Sequence, residues 1–376
     1  MRILVLVHEF PPVGGGGGRV AEDLCGKLAR RGHEVNVLTS HFKGLAFEED
    51  QNGYRVIRFG SLRRQPYRAS FLTMAAFVLA GFWAGRRLIK RFQPDVIHAH
   101  FAVPAGALAW ILSRISGIPY MLTVHLGDVP GGVPEKTDAW FRWIYPFTPG
   151  IWRHAREIVA VSEFTRQLAM RKYREKIHVV PNGVDLGALA PRQLAVNDPP
   201  RIVFAGRFTD QKNPLQFVHS LAELTALNWQ AVMIGDGDLA PDVRCAVETL
   251  GLQDRFQFTG WIDPQEVLRW FEKSDILFMP SRSEGLPVVG VQALAKGLAI
   301  VASRVGGFVD LVEEDRNGHL IEVTEPASFA ACLSRLLSDP RRLLACRAAS
   351  LEKAKSFELE RIVREYETIL LRVQHA

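Results

Sequence analysis

The feature that most constrains this chain is a rhythm of short apolar runs separated by stretches long enough for helices. The runs fall at 3–7, 35–39, 54–59, 95–99, 120–124, 157–161 and 177–180. Runs that short, apolar on both faces and spaced by helical segments, suit parallel strands covered by helices on either side. In the first spacer Val20, Leu24 and Leu28 share one helical face, with Gly32 just past its end. Pro181-Asn182-Gly183 then forms a turn, and the polar, proline-containing stretch 191–200 reads as an interdomain linker. The rhythm restarts at 202–205, 231–234, 256–258, 276–279, 299–302 and 320–323, and a helix at 358–372 ends the chain. At 376 residues and 48% hydrophobic, the chain is long enough for two cores. The expectation is α/β: two successive doubly wound domains, at 1–190 and 200–356, followed by a terminal segment at 357–376.

The formal net charge of +6 is mild. It suits an anionic small substrate or an anionic membrane surface. Nucleic acid is not expected, because the cations are not clustered with aromatics on a recognisable module. Cys25, Cys245, Cys332 and Cys346 are scattered without metal-ligand spacing, as expected of reduced thiols in a cytoplasmic protein. Residues 1–7 run directly into a strand with no cleavable leader pattern, which points the same way. Residues 71–85 (FLTMAAFVLAGFWAG) are almost wholly apolar but short of the roughly twenty needed to cross a bilayer. Arg63, Arg64 and Arg68 precede them; Arg86, Arg87, Lys90 and Arg91 follow. A buried core helix with a basic last turn is the first expectation, and a helix resting on anionic lipid is the second.

Chemistry concentrates where strands end. Gly14 to Gly18 and Arg19 follow the first strand, where glycines bring backbone N–H groups close to a ligand at a helix N-terminus. No Lys-Ser/Thr follows, so this is not a P-loop. Gly206-Arg207 and Lys212-Asn213 put two cations on one strand-to-helix turn, the arrangement a diphosphate needs. Glu284-Gly285-Leu286-Pro287 leads into another helix, offering free amides to phosphate and a carboxylate to sugar hydroxyls; a helix cap would also explain Glu284. Thr259-Gly260-Trp261-Ile262 could present backbone groups and an aromatic to a base. His125 and Asp128 close the strand at 120–124 on a Gly- and Pro-rich loop, where both could meet substrate. His98 and His100 read as core histidines, and Asp236-Gly237-Asp238 as a turn after Gly235. No zinc spacing accompanies the histidines, so no metal is expected.

Together these residues resemble the retaining glycosyltransferases of family 4. The likeness runs through Gly14 to Gly18, Thr123-Val124-His125, Pro181-Asn182-Gly183, Gly206-Arg207 with Lys212-Asn213, Phe258-Thr259-Gly260-Trp261, Ser283-Glu284-Gly285-Leu286-Pro287, Ala293 to Gly297 and Gly306-Gly307. The resemblance implies a GT-B fold: two Rossmann-like domains facing across a cleft, with the final helix crossing back to the N-terminal, acceptor-binding domain. It implies that His125, Arg207, Lys212 and Glu284 act in catalysis. Donor binding would involve Gly16, Gly17, Gly206, Gly235, Trp261, Ile262, Gly285, Leu286, Pro287, Val288 and Gln292; acceptor binding would involve Gly15, Arg19 and Asp128. The family has a second Glu where this chain has Gln292, which leaves ribose contacts and nucleotide preference open.

The expected reaction moves a sugar from a UDP- or GDP-sugar, with retention and without metal or other cofactor. The acceptor would be a glycan or lipid-linked molecule, met at the inner face of the cytoplasmic membrane. The aromatic stretch 140–147 and the 71–85 segment point towards lipid. A nucleotide-sugar epimerase and a silent nucleotide- or glycan-binding scaffold are the alternatives. A two-carboxylate glycosidase is disfavoured, since the residue paired with Glu284 is an amide.

Overall fold

The computed structural model describes residues 1–65, 69–133, 144–191, 193–325 and 327–375. The expected aromatic residues Trp140, Phe141 and Trp143, with Arg142, Arg68 and Pro134, lie outside them. By contact the chain divides into two compact units, Met1–Pro181 with Glu360–Ala376, and Asn182–Leu359.

The first unit holds an eight-stranded sheet: β1 (Arg2–Leu6), β2 (Glu34–Ser40), β3 (Glu48–Gln51), β4 (Tyr54–Phe59), β5 (Val96–His100), β6 (Tyr120–Val124), β7 (Glu157–Ala160) and β8 (Ile177–Val179). Their order is β3-β4-β2-β1-β5-β6-β7-β8, parallel except at β3. All seven expected strands are present. The addition, β3, is the sequence Glu-Glu-Asp-Gln, too polar to announce itself as a strand. It pairs antiparallel with β4 at the edge, where Glu49 meets Arg58 at 2.6 Å and Asp50 meets Arg55 at 3.0 Å.

Helix α1 (Gly16–Arg30) follows β1 and lays Val20, Leu24 and Leu28 on the sheet. Helix α2 (Phe71–Phe92) is longer than the apolar segment, because its basic residues continue the helix to Gln93, which caps it in the left-handed conformation. At 22 residues it is long and apolar enough to cross a membrane by length and composition. The expectation of a buried core helix is corrected here: only Thr73, Phe77, Gly81, Gly85 and Leu88 are buried, one stripe at helical spacing. Gly81 abuts Leu108 and Phe59, and Gly85 abuts Leu112 of helix α3 (Ala107–Ser116), so this stripe is the floor of the core. The opposite stripe exposes Leu72, Leu79 and Trp83, then Arg86, Arg87 and Lys90.

The terminal helix, Leu359–His375, contributes residues from Glu360 onward to this unit. Val363, Leu370 and Val373 are fully buried, while Lys27–Glu360 (2.8 Å), Arg31–Glu367 (2.7 Å) and His33–Glu367 (2.7 Å) tie the helix to α1 and the turn after it.

The second unit has six parallel strands, β9 (Arg201–Ala205), β10 (Gln230–Ile234), β11 (Phe256–Gly260), β12 (Ile276–Met279), β13 (Ala299–Ser303) and β14 (Gly318–Ile321), in the order β11-β10-β9-β12-β13-β14. Each expected strand is present, the last begun two residues early. Within the expected linker, residues 193–200 are not a free connection. Asp275, fully buried, accepts from Asn197 N (3.1 Å), Asn197 Nδ2 (2.9 Å) and Arg201 N (2.7 Å), and pairs with Arg347, which also donates to Ala195 O. A buried carboxylate must collect such donors, and in doing so it straps the segment onto the second unit. The division therefore falls after Pro181. Both sheets turn about their first strand, β1 between β2 and β5 and β9 between β10 and β12, so ligand-facing loops gather at the strand C-termini there.

Candidate active site

In the first unit the loops after β1, β5 and β6 converge. The glycine run is not a loose loop: α1 begins at Gly16, so Gly16, Gly17 and Gly18 form its first turn, with Gly15 as a cap that offers no side chain. A Cβ on Gly17 would lie 2.5 Å from Phe101 Cζ and 3.4 Å from His125 Cε1; one on Gly18 would lie 2.5 Å from the Glu9 carbonyl oxygen. Close packing thus demands glycine at both places, whereas Gly15 faces open space. No acid stands in that first turn. Arg19 pairs with Glu22 on its own helix.

His125 follows β6, its ring stacked on Phe101 (centroids 4.4 Å apart, 29° between planes). Burial, then the nearby His8, lowers its pKa to about 4, so it is neutral near pH 7, and Nε2 is shielded without a partner among the described residues. Asp128 was expected to face the acceptor; instead it is buried, accepting from Ala102 N (2.9 Å) and His125 N (2.8 Å). Burial pushes its carboxyl up to about 7 against the pull of those backbone donors. Its evident task is to join the β5 and β6 loops. His98 and His100 are fully buried, as core histidines should be. His98 Nε2 meets Thr123 Oγ1 at 2.8 Å and its ring lies 5.7 Å from that of Tyr366 on the terminal helix, while neither ring nitrogen of His100 has a partner among the described residues.

Sequence reasoning missed His8 and Phe101. His8 lies two residues past the end of β1, a position that the strand-end rule could have flagged. Phe101 carried no signal. It sits at φ 74°, in the left-handed half of conformational space that a phenyl-bearing residue avoids, with its ring against His125, His8 (4.8 Å) and Gly17.

In the second unit the loops after β9, β10 and β12 meet. Lys212 Nζ lies 2.6 Å from Glu284 Oε1, which also accepts from Ser281 Oγ at 2.7 Å. Gln211 clamps the two loops, donating to Ser283 O (3.1 Å) and accepting from Arg282 N (2.8 Å). Arg207 is half-buried on the turn with Gly206. Gly235, at φ 124°, brings the β10 exit so close that a Cβ would sit 2.0 Å from the Gly206 carbonyl oxygen. Helix α4 (Pro214–Ala222) continues from Asn213. Gly285, Leu286 and Pro287 lead into helix α5 (Val288–Ala295), which has no acid in its first turn and whose Val288 and Val289 amides precede the first intrahelical bonds. Asn182 Nδ2 holds the Leu286 carbonyl at 2.8 Å. Gln292 is half-buried on α5; Trp261 is exposed and Ile262 half-buried after β11. The Asp236 side chain accepts from Gly237 N at 2.7 Å, a turn contact. Among the described residues no group of three or more His, Cys, Asp and Glu is placed to hold a metal ion.

The profile of Glycosyltransferase Family 4 matches residues 14–188, and that of Glycosyl transferases group 1 matches residues 189–353. The chain belongs to glycosyltransferase family 4. It is 28% identical over 347 residues to the 2-deoxystreptamine glucosyltransferase of Streptomyces kanamyceticus, covering 85% of this chain and 88% of that one. It is 26% identical over 272 residues to the UDP-Gal:alpha-D-GlcNAc-diphosphoundecaprenol alpha-1,3-galactosyltransferase of Escherichia coli, covering 67% and 69%. In fold it resembles sucrose-phosphate synthase from Thermosynechococcus elongatus, with a TM-score of 0.86 at 21% identity over 99% and 98% of the chains. The architecture of this family 4 glycosyltransferase is accordingly GT-B, built from two α/β domains with parallel sheets.

Proposed function

We propose that this glycosyltransferase takes its sugar from a nucleoside diphosphate donor, UDP- or GDP-linked, and transfers it with retention and without a metal ion to a lipid-linked acceptor or glycan in cell-surface polysaccharide or glycolipid synthesis. The observation that carries the reading is the Lys212–Glu284 contact beside the acid-free N-terminus of α5. An ammonium and a carboxylate placed to satisfy each other are a matched pair for a ligand carrying both phosphate and hydroxyls. Lys212 and Arg207 would take the diphosphate, with the first amides of α5 behind it. Glu284, oriented by Ser281, would accept from the sugar hydroxyls. As the bond from the anomeric carbon to the diphosphate oxygen breaks, the new negative charge would fall among these donors and be stabilised by them. The acceptor oxygen bonds to the same face of that carbon, and its proton passes to the departing phosphate oxygen. Neutral His125 would hydrogen-bond the sugar through Nε2 without adding charge.

Two observations support a lipid-linked acceptor at the inner face of the cytoplasmic membrane. The Escherichia coli relative, by its name, uses a diphosphoundecaprenol-linked acceptor. The exposed stripe of α2 is apolar and then basic, and no described carboxylate pairs with Arg86, Arg87 or Lys90. Transfer is tested with UDP-, GDP- and ADP-sugars against Arg207→Ala and Lys212→Ala. Loss of about 100-fold or more in kcat is expected for each, and unchanged transfer by both would refute the site. Incubation without acceptor should return the donor unepimerised.

A further inference from the structure

An apolar groove lies beside α2, with a volume of about 100 Å³. Phe71, Met74, Ala75 and Val78 form one wall, and Val103, Pro104 and Ile144 form the other. No lining residue among those described carries a polar side chain, so these walls offer no side-chain group to hold a sugar, a phosphate or a peptide backbone. We propose that it binds the hydrocarbon chain of the lipid-linked acceptor, next to the acceptor's head group. The proposal rests on the lipid-linked reading above and names the part of the protein that would read the lipid.

Three features select that occupant. The groove is continuous with an exposed apolar surface on the same helix: Phe71 opens outward, and Leu72, Leu79 and Trp83 carry the apolar face beyond it, so a chain can pass from one to the other without crossing polar ground. The same helix then turns basic at Arg86, Arg87 and Lys90, matching the anionic surface from which such an acceptor would be drawn. The far wall is part of the substrate-facing loop itself, because Val103 lies two residues after Phe101, whose ring covers His125. Asp128, which accepts from the Ala102 amide, fixes that wall relative to His125. A chain lying here would present its polar end to the loop that carries the histidine.

The probe is dodecyl phosphate bearing a terminal diazirine, kept below its aggregation limit and photolysed with the full-length protein; hexyl phosphate with the same group is the short-chain control. Labelled peptides are mapped by mass spectrometry. The dodecyl probe should mark residues 71–78 and 103–104, and the hexyl probe should not. Ala75→Trp, and separately Val78→Trp, fill the groove and should cut that labelling at least tenfold, while the melting shift produced by UDP stays as in the parent protein. Labelling that survives both substitutions, that falls on the Leu79–Trp83 face instead, or that is equal for the two probes would overturn the proposal. None of these readings requires turnover. A groove that fails here therefore leaves the transferase reading standing, and a transferase that fails with Arg207→Ala and Lys212→Ala leaves the groove result intact.

Discussion

Replacing Lys212 by Met tests whether the Lys212–Glu284 contact has the energetic weight given to it. The Glu284 side chain is only 6% exposed and that of Lys212 18%. Deleting the ammonium leaves a buried carboxylate with the Ser281 hydroxyl as its remaining described side-chain partner. Breaking a buried pair from one side costs about 3 kcal/mol or somewhat more. In a unit of this size that corresponds to a melting temperature lower by roughly 10 °C. Removing both charges, as Lys212→Met with Glu284→Gln, leaves no orphaned carboxylate and should recover much of that loss, giving a coupling of about 2 kcal/mol in a double-mutant cycle. The assay is urea unfolding of the full-length protein followed by a probe in the second unit, alongside transfer rates. Transfer should fall by about 100-fold in each single variant and stay low in the double, because catalysis needs both groups while stability needs only their balance. A double variant whose stability loss equals the sum of the singles would refute the argument.

Three further outcomes are expected. Phe101→Gly relieves a strained backbone but uncovers His125, so kcat should fall while stability changes by less than about 1 kcal/mol; an unchanged kcat would show that the stacked ring does not position the histidine. Burial holds His8 and His125 near 4 and His98 near 3, below their unfolded value. Stability of the first unit should therefore be fully present above about pH 6.5 and fall towards pH 4, where the unfolded chain binds more protons. Asp128, raised to about 7, opposes this with a contribution lost as pH rises through 7, but one carboxyl does not offset three histidines; thermal melts from pH 7.5 to 4.5 check the sign. Gln292→Glu should change affinity among UDP-, GDP- and ADP-sugars in a thermal-shift screen, and an unmoved ranking would make the amide a neutral replacement.

Much of the fold was legible because parallel strands buried on both faces must be short and apolar, and every such run became a strand. What escaped lies where long-range contact outweighs local composition. The acidic β3 exists because Arg55 and Arg58 on β4 meet its carboxylates. The polar composition of 191–200 reads as a linker, yet Asp275, some eighty residues away, holds Asn197 and Arg201. In the candidate site, residue types at strand ends announced Arg207, Lys212, Glu284 and His125. Phe101 and the commitment of Asp128 to backbone amides depend on φ and on neighbours, which no local pattern encodes.

The terminal helix has a consequence for synthesis. The first unit is discontinuous: its chain leaves at Pro181 and returns only at Glu360, so the entire second unit is inserted within it. On the ribosome, β1 to β8 emerge long before Tyr366, Val363 and Leu370 are available to cover the face beside His98. The second unit, contiguous in sequence, can be complete while the earlier one still waits for its last turns. A stop codon at 360 would therefore damage the older half of the nascent protein, stripping Lys27, Arg31 and His33 of their partners and leaving the younger half whole.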